Sequence, residues 1–225
     1  MSSPPLFDPR TVPVFGVDTH LPALPAAMLH AAWLRTQFQT PRVWEPSLRA
    51  EPAFSRRAPV PASVLVPLVM RDELMVLLTH RTAHLSSHSG QVAFPGGKAD
   101  PGDADVIATA LREAQEEIGL AAEAVEVLGT MPTYTTGSAF VVTPVVALVD
   151  PRAILVPNPH EVAQVFEAPL SFLMNPAHHR RHRVEWEGAQ REWLSMPYHD
   201  GQNEHFIWGA TAGMLRNLYQ FLAPS

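Results

Sequence analysis

The sequence has no cysteine. Disulfides, thiol nucleophiles and Cys-ligated zinc are therefore excluded. It has no uninterrupted apolar run approaching the roughly 18 residues of a membrane-spanning helix. The first residues, MSSPPLFDPRTVPVFG, lack the basic start and apolar stretch of a secretory signal. A surplus of basic charge is also missing. The formal net charge is −6, so duplex nucleic acid is not an expected partner. No segment repeats. These absences point to a soluble cytoplasmic protein with neither membrane nor nucleic acid as a partner. What remains is a chain of 225 residues, 46% hydrophobic, which suffices for one elaborated domain with a real core.

Proline is abundant and concentrated toward the first 65 residues. That region contains one expected helix, LPAAMLHAAWLRTQF (24–38), between Pro-rich connectors. We take residues 1–60 as an N-terminal extension that packs on the domain or on a second subunit, and 61–225 as the main domain. There the texture changes to short apolar runs. SVLVPLVM (63–70) and ELMVLLTHR (73–81) read as strands joined by a tight turn. QVAFPGG (91–97) is a strand ending in a Gly-rich bend. Further strands are expected at 125–131, at 139–149 with a break at Pro144, at 164–170 before a short turn or helix, and in HRVEWEG and REWLSMPYH. A closing helix is expected over 205–222. The result is an α/β fold, a mixed sheet with helices on both faces.

The helix expected over Asp105–Ile118 is the most informative segment. Ile107, Leu111, Ala114 and Ile118 recur at helical spacing, and Gly119 supplies a stop. At about 100° per residue, Glu116 and Glu117 stand about 60° and about 40° to either side of Glu113. The three carboxylates share one face, away from the apolar stripe. Most Glu-rich faces are simply solvated. Here, however, Glu113 and Glu117 are like charges at i, i+4. They stand near the helix C-terminus, where the dipole disfavours anions, and no Lys or Arg follows at i+4. A divalent cation would reverse both penalties, and clustered hard oxygen ligands suit Mg²⁺ or Mn²⁺. The Gly96-Gly97 pair before the helix permits close approach of a ligand to the backbone. His80, His84 and His88 fall four apart but straddle a strand and a loop, so helical spacing does not unite them as a metal face.

Together these pieces resemble the Nudix box, G-x5-E-x7-R-E-U-x-E-E-x-G-U, with U apolar. Arg112, Glu113, Ala114, Glu116, Glu117, Gly119 and Leu120 match its end. At its front, Gly97 is followed after five residues by Asp103 rather than Glu, and eight residues instead of seven separate Asp103 from Arg112. LLTHRTAHLSSHSGQVAFPGG further resembles the extended motif of the coenzyme A pyrophosphatase branch, through Leu77, Leu78, Thr79, Arg81, Leu85, His88, Gly90, Gln91, Val92, Phe94, Pro95, Gly96 and Gly97. Ser86 stands where that branch carries Arg, so one expected phosphate contact is missing or supplied elsewhere.

The resemblance implies a Nudix-type α/β/α sandwich that hydrolyses coenzyme A or its thioesters at the pyrophosphate, giving 3′,5′-ADP and (acyl-)4′-phosphopantetheine. Another Nudix substrate, such as ADP-ribose or a nucleoside triphosphate, or a non-catalytic nucleotide-binding regulator, are the alternatives. Mg²⁺ or Mn²⁺ would be held by Glu113, Glu116, Glu117 and the Gly97 carbonyl. Arg112 would orient this set through a salt bridge to Asp103 or to a ligating Glu. The base is Glu113, Glu116 or Glu161 of the loop NPHEVAQVF. Arg81, His88, Gln91, Gly96 and Gly97 would bind substrate; Arg81 has a surface charge as its alternative. The basic run HHRRHR (178–183) either meets a phosphate or is a solvated turn. Dimerisation is common in the family, and the extension offers surface for a homodimer.

Overall fold

The computed structural model describes residues 8–40, 43–53, 55, 57–82, 90–186 and 189–224. Its elements in chain order are β1 (Val14–Val17), α1 (Ala31–Gln39), β2 (Val60–Met70), β3 (Leu74–Arg81), β4 (Val92–Ala93), β5 (Gly96–Lys98), α2 (Val106–Ile118), β6 (Val125–Thr130), β7 (Tyr134–Thr135), β8 (Phe140–Val149), β9 (Val162–Pro169), α3 (Leu170–Leu173), β10 (Arg180–Trp186), β11 (Ala189–His199), β12 (Glu204–Trp208) and α4 (Gly209–Leu222). No helix among the described residues is long and apolar enough to cross a membrane.

The main sheet runs β4-β3-β2-β8-β6, with β5 also on β2, β7 on β8 and β9 on β3. β2 and β8 pair in parallel from Val60↔Phe140 to Val69↔Val149, and the other pairings are antiparallel, so the sheet is mixed. Alternation along each strand divides the core in two. Leu65, Val69, Leu77, Val145, Ala147 and Val149 face α2 and bury Ala110, Ala114 and Ile118, with Ile107 and Leu111 at its margin. Val66, Leu68, Val76, Leu78, Val146 and Leu148 face the other way, toward Leu215, Leu218 and Phe221 of α4. Each large side chain so buried contributes about 1.5–3 kcal/mol. The molecule is thus an α/β/α sandwich. A second, antiparallel sheet of order β1-β10-β11-β12 flanks it.

Four local expectations change. The first helix starts at Ala31, because His30 caps it by accepting from the Trp33 amide at 3.2 Å; the residues before it form a 3-10 turn, Ala26–Met28. Pro144 does not interrupt β8. It lies where β7 gives way to β6 along that strand, so its missing N–H costs no ladder bond on that side, and its carbonyl accepts from the Met131 amide. The closing helix begins at Gly209: His205–Trp208, aromatic-rich and extended, pairs with β11 instead. The run at 178–183 is not a solvated turn but leads into β10, where Arg181 binds Asp18 and Arg183 binds Glu192. The N-terminal segment is woven in: Leu24, Leu29 and Leu34 belong to the α4-side core, and buried Asp18 joins Arg181 to Arg216.

Candidate active site

α2 carries the acidic face and is held in register at both ends. Asp105 caps its start by accepting from the Ile107 and Ala108 amides, at 2.9 and 2.8 Å. Gly119 ends it in the left-handed region, with φ 67°. A Cβ there would lie 2.9 Å from Val156, whose amide donates to the Ile118 carbonyl. The helix end and the loop that follows β8 are therefore tied together.

The three glutamates sit in three different environments. Glu117 is 2% exposed; it accepts from Arg81 Nη1 at 3.0 Å and from the Gly96 amide at 3.1 Å. Burial pushes it up to about 7, although the Arg81 guanidinium and the amide both favour its anion. Glu113 is half-buried and also raised, chiefly by burial, with Glu116 and Glu161 adding repulsion against the pull of Arg112. Glu116 is mostly exposed. The counter-ion missing downstream comes from one turn upstream: Arg112 Nη1 donates to Glu113 at 3.1 Å and to Glu116 at 2.9 Å. Its Nε and Nη2 grip both oxygens of Asp103, at 2.9 and 3.1 Å, and Nη2 also donates to the Lys98 carbonyl. Asp103 is further fixed by the Thr109 hydroxyl and the Asp100 amide. The Arg112 guanidinium holds its carboxyl well below the usual range. The spare residue before the helix is absorbed in the Asp100–Asp105 loop without loss of this pairing.

Gly96 and Gly97 open β5, which lies across from the helix. Gly96 pairs with Val64 and Gly97 with Ser63. A Cβ on Gly96 would strike the Ser63 carbonyl oxygen at 2.4 Å; one on Gly97 would meet the Glu113 carboxylate at 2.5 Å. Both glycines are demanded by closeness, one to a strand and one to a carboxylate. The Ser63 hydroxyl, opposite Gly97, is buried without a hydrogen-bond partner among the described residues.

Glu161 arrives from the far side of the chain. The Asn158 amide donates to the Glu117 carbonyl, and the Asn158 side chain accepts from the His160 amide and donates to Glu161 at 3.3 Å. Thr82 binds the Glu161 carbonyl through its amide and the His160 carbonyl through its hydroxyl. Asn158 and Thr82 were not singled out in the sequence. The Asn between two prolines in PNPH was the available signal, an Asx turn. Arg81, Gly96, Gly97, Arg112, Glu113, Glu116, Glu117 and Glu161 are thus brought together. Gln91 adjoins them, its carbonyl accepting from the Arg81 amide. His88, His84 and Ser86 lie outside the described residues.

Asp103, Glu113, Glu116, Glu117 and Glu161 outnumber the guanidiniums of Arg81 and Arg112, leaving a surplus of negative charge. Among the described residues, no three acidic or histidine side chains converge as metal ligands. The donor set still fits a hard divalent cation. It offers carboxylates on one helix face, a glycine whose lack of Cβ leaves its backbone open to the Glu113 carboxylate, and a buried Glu117 that a nearby cation would help to ionise.

The NUDIX domain model matches residues 59–195. A protein from Yersinia enterocolitica is 45% identical over 160 residues, covering 71% of this chain and 80% of the relative. Another, from Enterobacter sp., is 43% identical over 158 residues, covering 70% and 80%. Both bear the name uncharacterized Nudix hydrolase NudL. A solved structure of a C. elegans Ap4A hydrolase binary complex aligns with TM-score 0.43 and 23% identity, over 52% of this chain and 85% of that one. With the domain matched over more than half its length, and with such relatives over more than two thirds of it, the chain belongs to the Nudix hydrolase family and is a pyrophosphohydrolase.

Proposed function

We propose that this Nudix hydrolase cleaves the pyrophosphate linkage of coenzyme A or its thioesters, giving 3′,5′-ADP and (acyl-)4′-phosphopantetheine. The observation that carries the reading is the placement of Arg81. It ends the LLTHR strand of the extended motif, the GQVAFPGG segment of that motif folds beside it, and its guanidinium binds Glu117 of the box. The two motifs form one wall. Glu113, Glu116, Glu117 and the Gly97 carbonyl would hold Mg²⁺ or Mn²⁺, which would supply charge neutralisation and Lewis acidity.

The chain's own residues do the rest. Arg112, braced by Asp103, keeps Glu113 and Glu116 together and sets their direction. Arg81 compensates the buried Glu117 and, with part of its surface exposed, leaves donors for a phosphate oxygen. Glu161, close enough to perturb Glu113, is assigned the proton of the attacking water.

The test is incubation with coenzyme A, acetyl-coenzyme A, ADP-ribose and nucleoside triphosphates, with Mg²⁺, Mn²⁺ or chelator, and identification of products by mass. Metal-dependent release of 3′,5′-ADP from the coenzyme A substrates is expected. A clear preference for ADP-ribose or a triphosphate would overturn the coenzyme A assignment. Absence of metal-dependent cleavage of every substrate would remove the catalytic reading as well.

A further inference from the structure

Ser63 stands at the edge of the acidic face and takes no part in its hydrogen bonds. It lies on β2, where Leu65 and Val69 pack into the α2-side core. Side chains alternate along a strand, so Ser63 faces α2 as they do. The residue is 1% exposed, and its hydroxyl has no hydrogen-bond partner among the described residues. Its cross-strand neighbours on that row are Gly97 of β5, which has no side chain, and Thr143 of β8. A buried hydroxyl left unpaired is destabilising, and alanine would fill the same space without that penalty. Packing alone therefore does not call for serine here.

An unmet acceptor lies across Gly97. Paired residues on neighbouring strands share a face, with Cβ positions about 4.5–5.5 Å apart. A Cβ on Gly97 would meet Cδ and both oxygens of Glu113 at 2.5 Å. The Ser63 hydroxyl and the Glu113 carboxylate thus flank one point, which Gly97 leaves open. Oε1 of Glu113 accepts from Arg112 Nη1 at 3.1 Å, whereas Oε2 accepts no hydrogen bond among the described residues. The neighbouring polar groups are already engaged: Glu117 accepts from Arg81 and from the Gly96 amide, and the Thr109 hydroxyl donates to Asp103. A donor without an acceptor and an acceptor without a donor therefore face each other over Gly97.

We propose that Ser63 is a positioning residue of the metal centre: its hydroxyl donates to Oε2 of Glu113 and sets the direction of that carboxylate when a divalent cation is bound. This rests on the metal reading of the acidic face and is independent of which substrate is cleaved. Arg112 reaches Glu113 along the helix, from the adjacent residue. Ser63 reaches it from the sheet, so the two together fix the carboxylate from both sides. Hydrogen bonds of this kind to a ligating carboxylate set metal affinity by about 10–100-fold.

Mn²⁺ alone is the probe, added to the full chain without substrate, with the free ion followed by electron paramagnetic resonance. Ser63→Ala should raise the Mn²⁺ dissociation constant about tenfold. Its urea unfolding midpoint in chelator should stay at or above that of the wild type, because no hydrogen bond of the fold is lost. Mn²⁺ affinity within about twofold of wild type would overturn the proposal. So would a lowered midpoint in chelator, which would give the hydroxyl a structural partner instead. Thr143→Ala, on the same row, should leave the affinity within about twofold; a loss equal to that of Ser63→Ala would mean a general loosening of the sheet and would overturn the assignment to Glu113. A wild-type chain that binds no Mn²⁺ would remove the metal centre and the proposal together.

Discussion

Gly97→Ala separates the chemistry of this site from its folding. The added Cβ would lie 2.5 Å from Cδ and both oxygens of Glu113, and ordinary contact begins at 3.4 Å, so the carboxylate must retreat by about 0.9 Å (3.4 − 2.5). Because those atoms end a flexible side chain, rotation about its torsions absorbs the move for about 1 kcal/mol. Misplacement of about 1 Å at a reacting centre costs about 100-fold in rate. Gly96→Ala has the opposite character. Its Cβ would meet backbone, the Ser63 oxygen at 2.4 Å and Val64 Cα at 2.6 Å, on a central strand that cannot yield. A loss of about 3 kcal/mol is expected there. Metal-dependent turnover and urea unfolding, measured on both variants, give the comparison. Gly97→Ala should keep its unfolding midpoint near wild type and lose about two orders of magnitude in kcat, whereas Gly96→Ala should lose stability first. Near-normal turnover in Gly97→Ala, or a stability loss equal to that of Gly96→Ala, would refute the placement of Glu113 against Gly97.

Three further outcomes are expected. Arg81→Ala leaves Glu117 buried without its cation, so urea unfolding at pH 8 should show a loss of about 3–5 kcal/mol, shrinking at pH 5, where Glu117, up to about 7 even with Arg81 present, takes a proton; equal losses at both pH values would contradict this. Buried His179 donates from Nε2 to the Leu173 carbonyl and accepts at Nδ1 from Arg216, and burial pushes it down to about 4. The unfolded chain binds this proton from about pH 6.5, so the contribution of about 3 kcal/mol is complete above 6.5 and is lost as pH falls toward 4; His179→Gln should flatten that part of the stability curve, and parallel curves would disprove it. Glu161→Gln should lower kcat by about 100-fold or more with an unchanged unfolding midpoint, and unaltered turnover would return the proton to Glu113 or Glu116.

Much of the site was legible because it is local. A helix puts residues three and four apart on one face, so Arg112, Glu113, Glu116 and Glu117 are neighbours by covalent geometry, and Asp105 and Gly119 mark the helix ends wherever the segment lies. The alternating apolar strands and the two-faced sheet followed from periodicity in the same way. Misreadings fell where context overrides local preference: Pro144 is tolerated only because neighbouring strands change there, and His205–Trp208 is extended because β11 offers it a partner.

Sequence by itself determined the acidic helix, the glycine pair before it and the class of chemistry they serve. Which carboxylate is buried, and with what, only the tertiary structure decided. Glu117 takes its cation from Arg81, 36 residues earlier, Glu161 is delivered by a loop tied to the end of α2, and His80 finds His205 across 125 residues. Such pairings depend on which strands lie side by side, and no short-range periodicity encodes that. Burial then makes each pairing matter, since a charge removed from water is stable only beside the partner that packing brings to it.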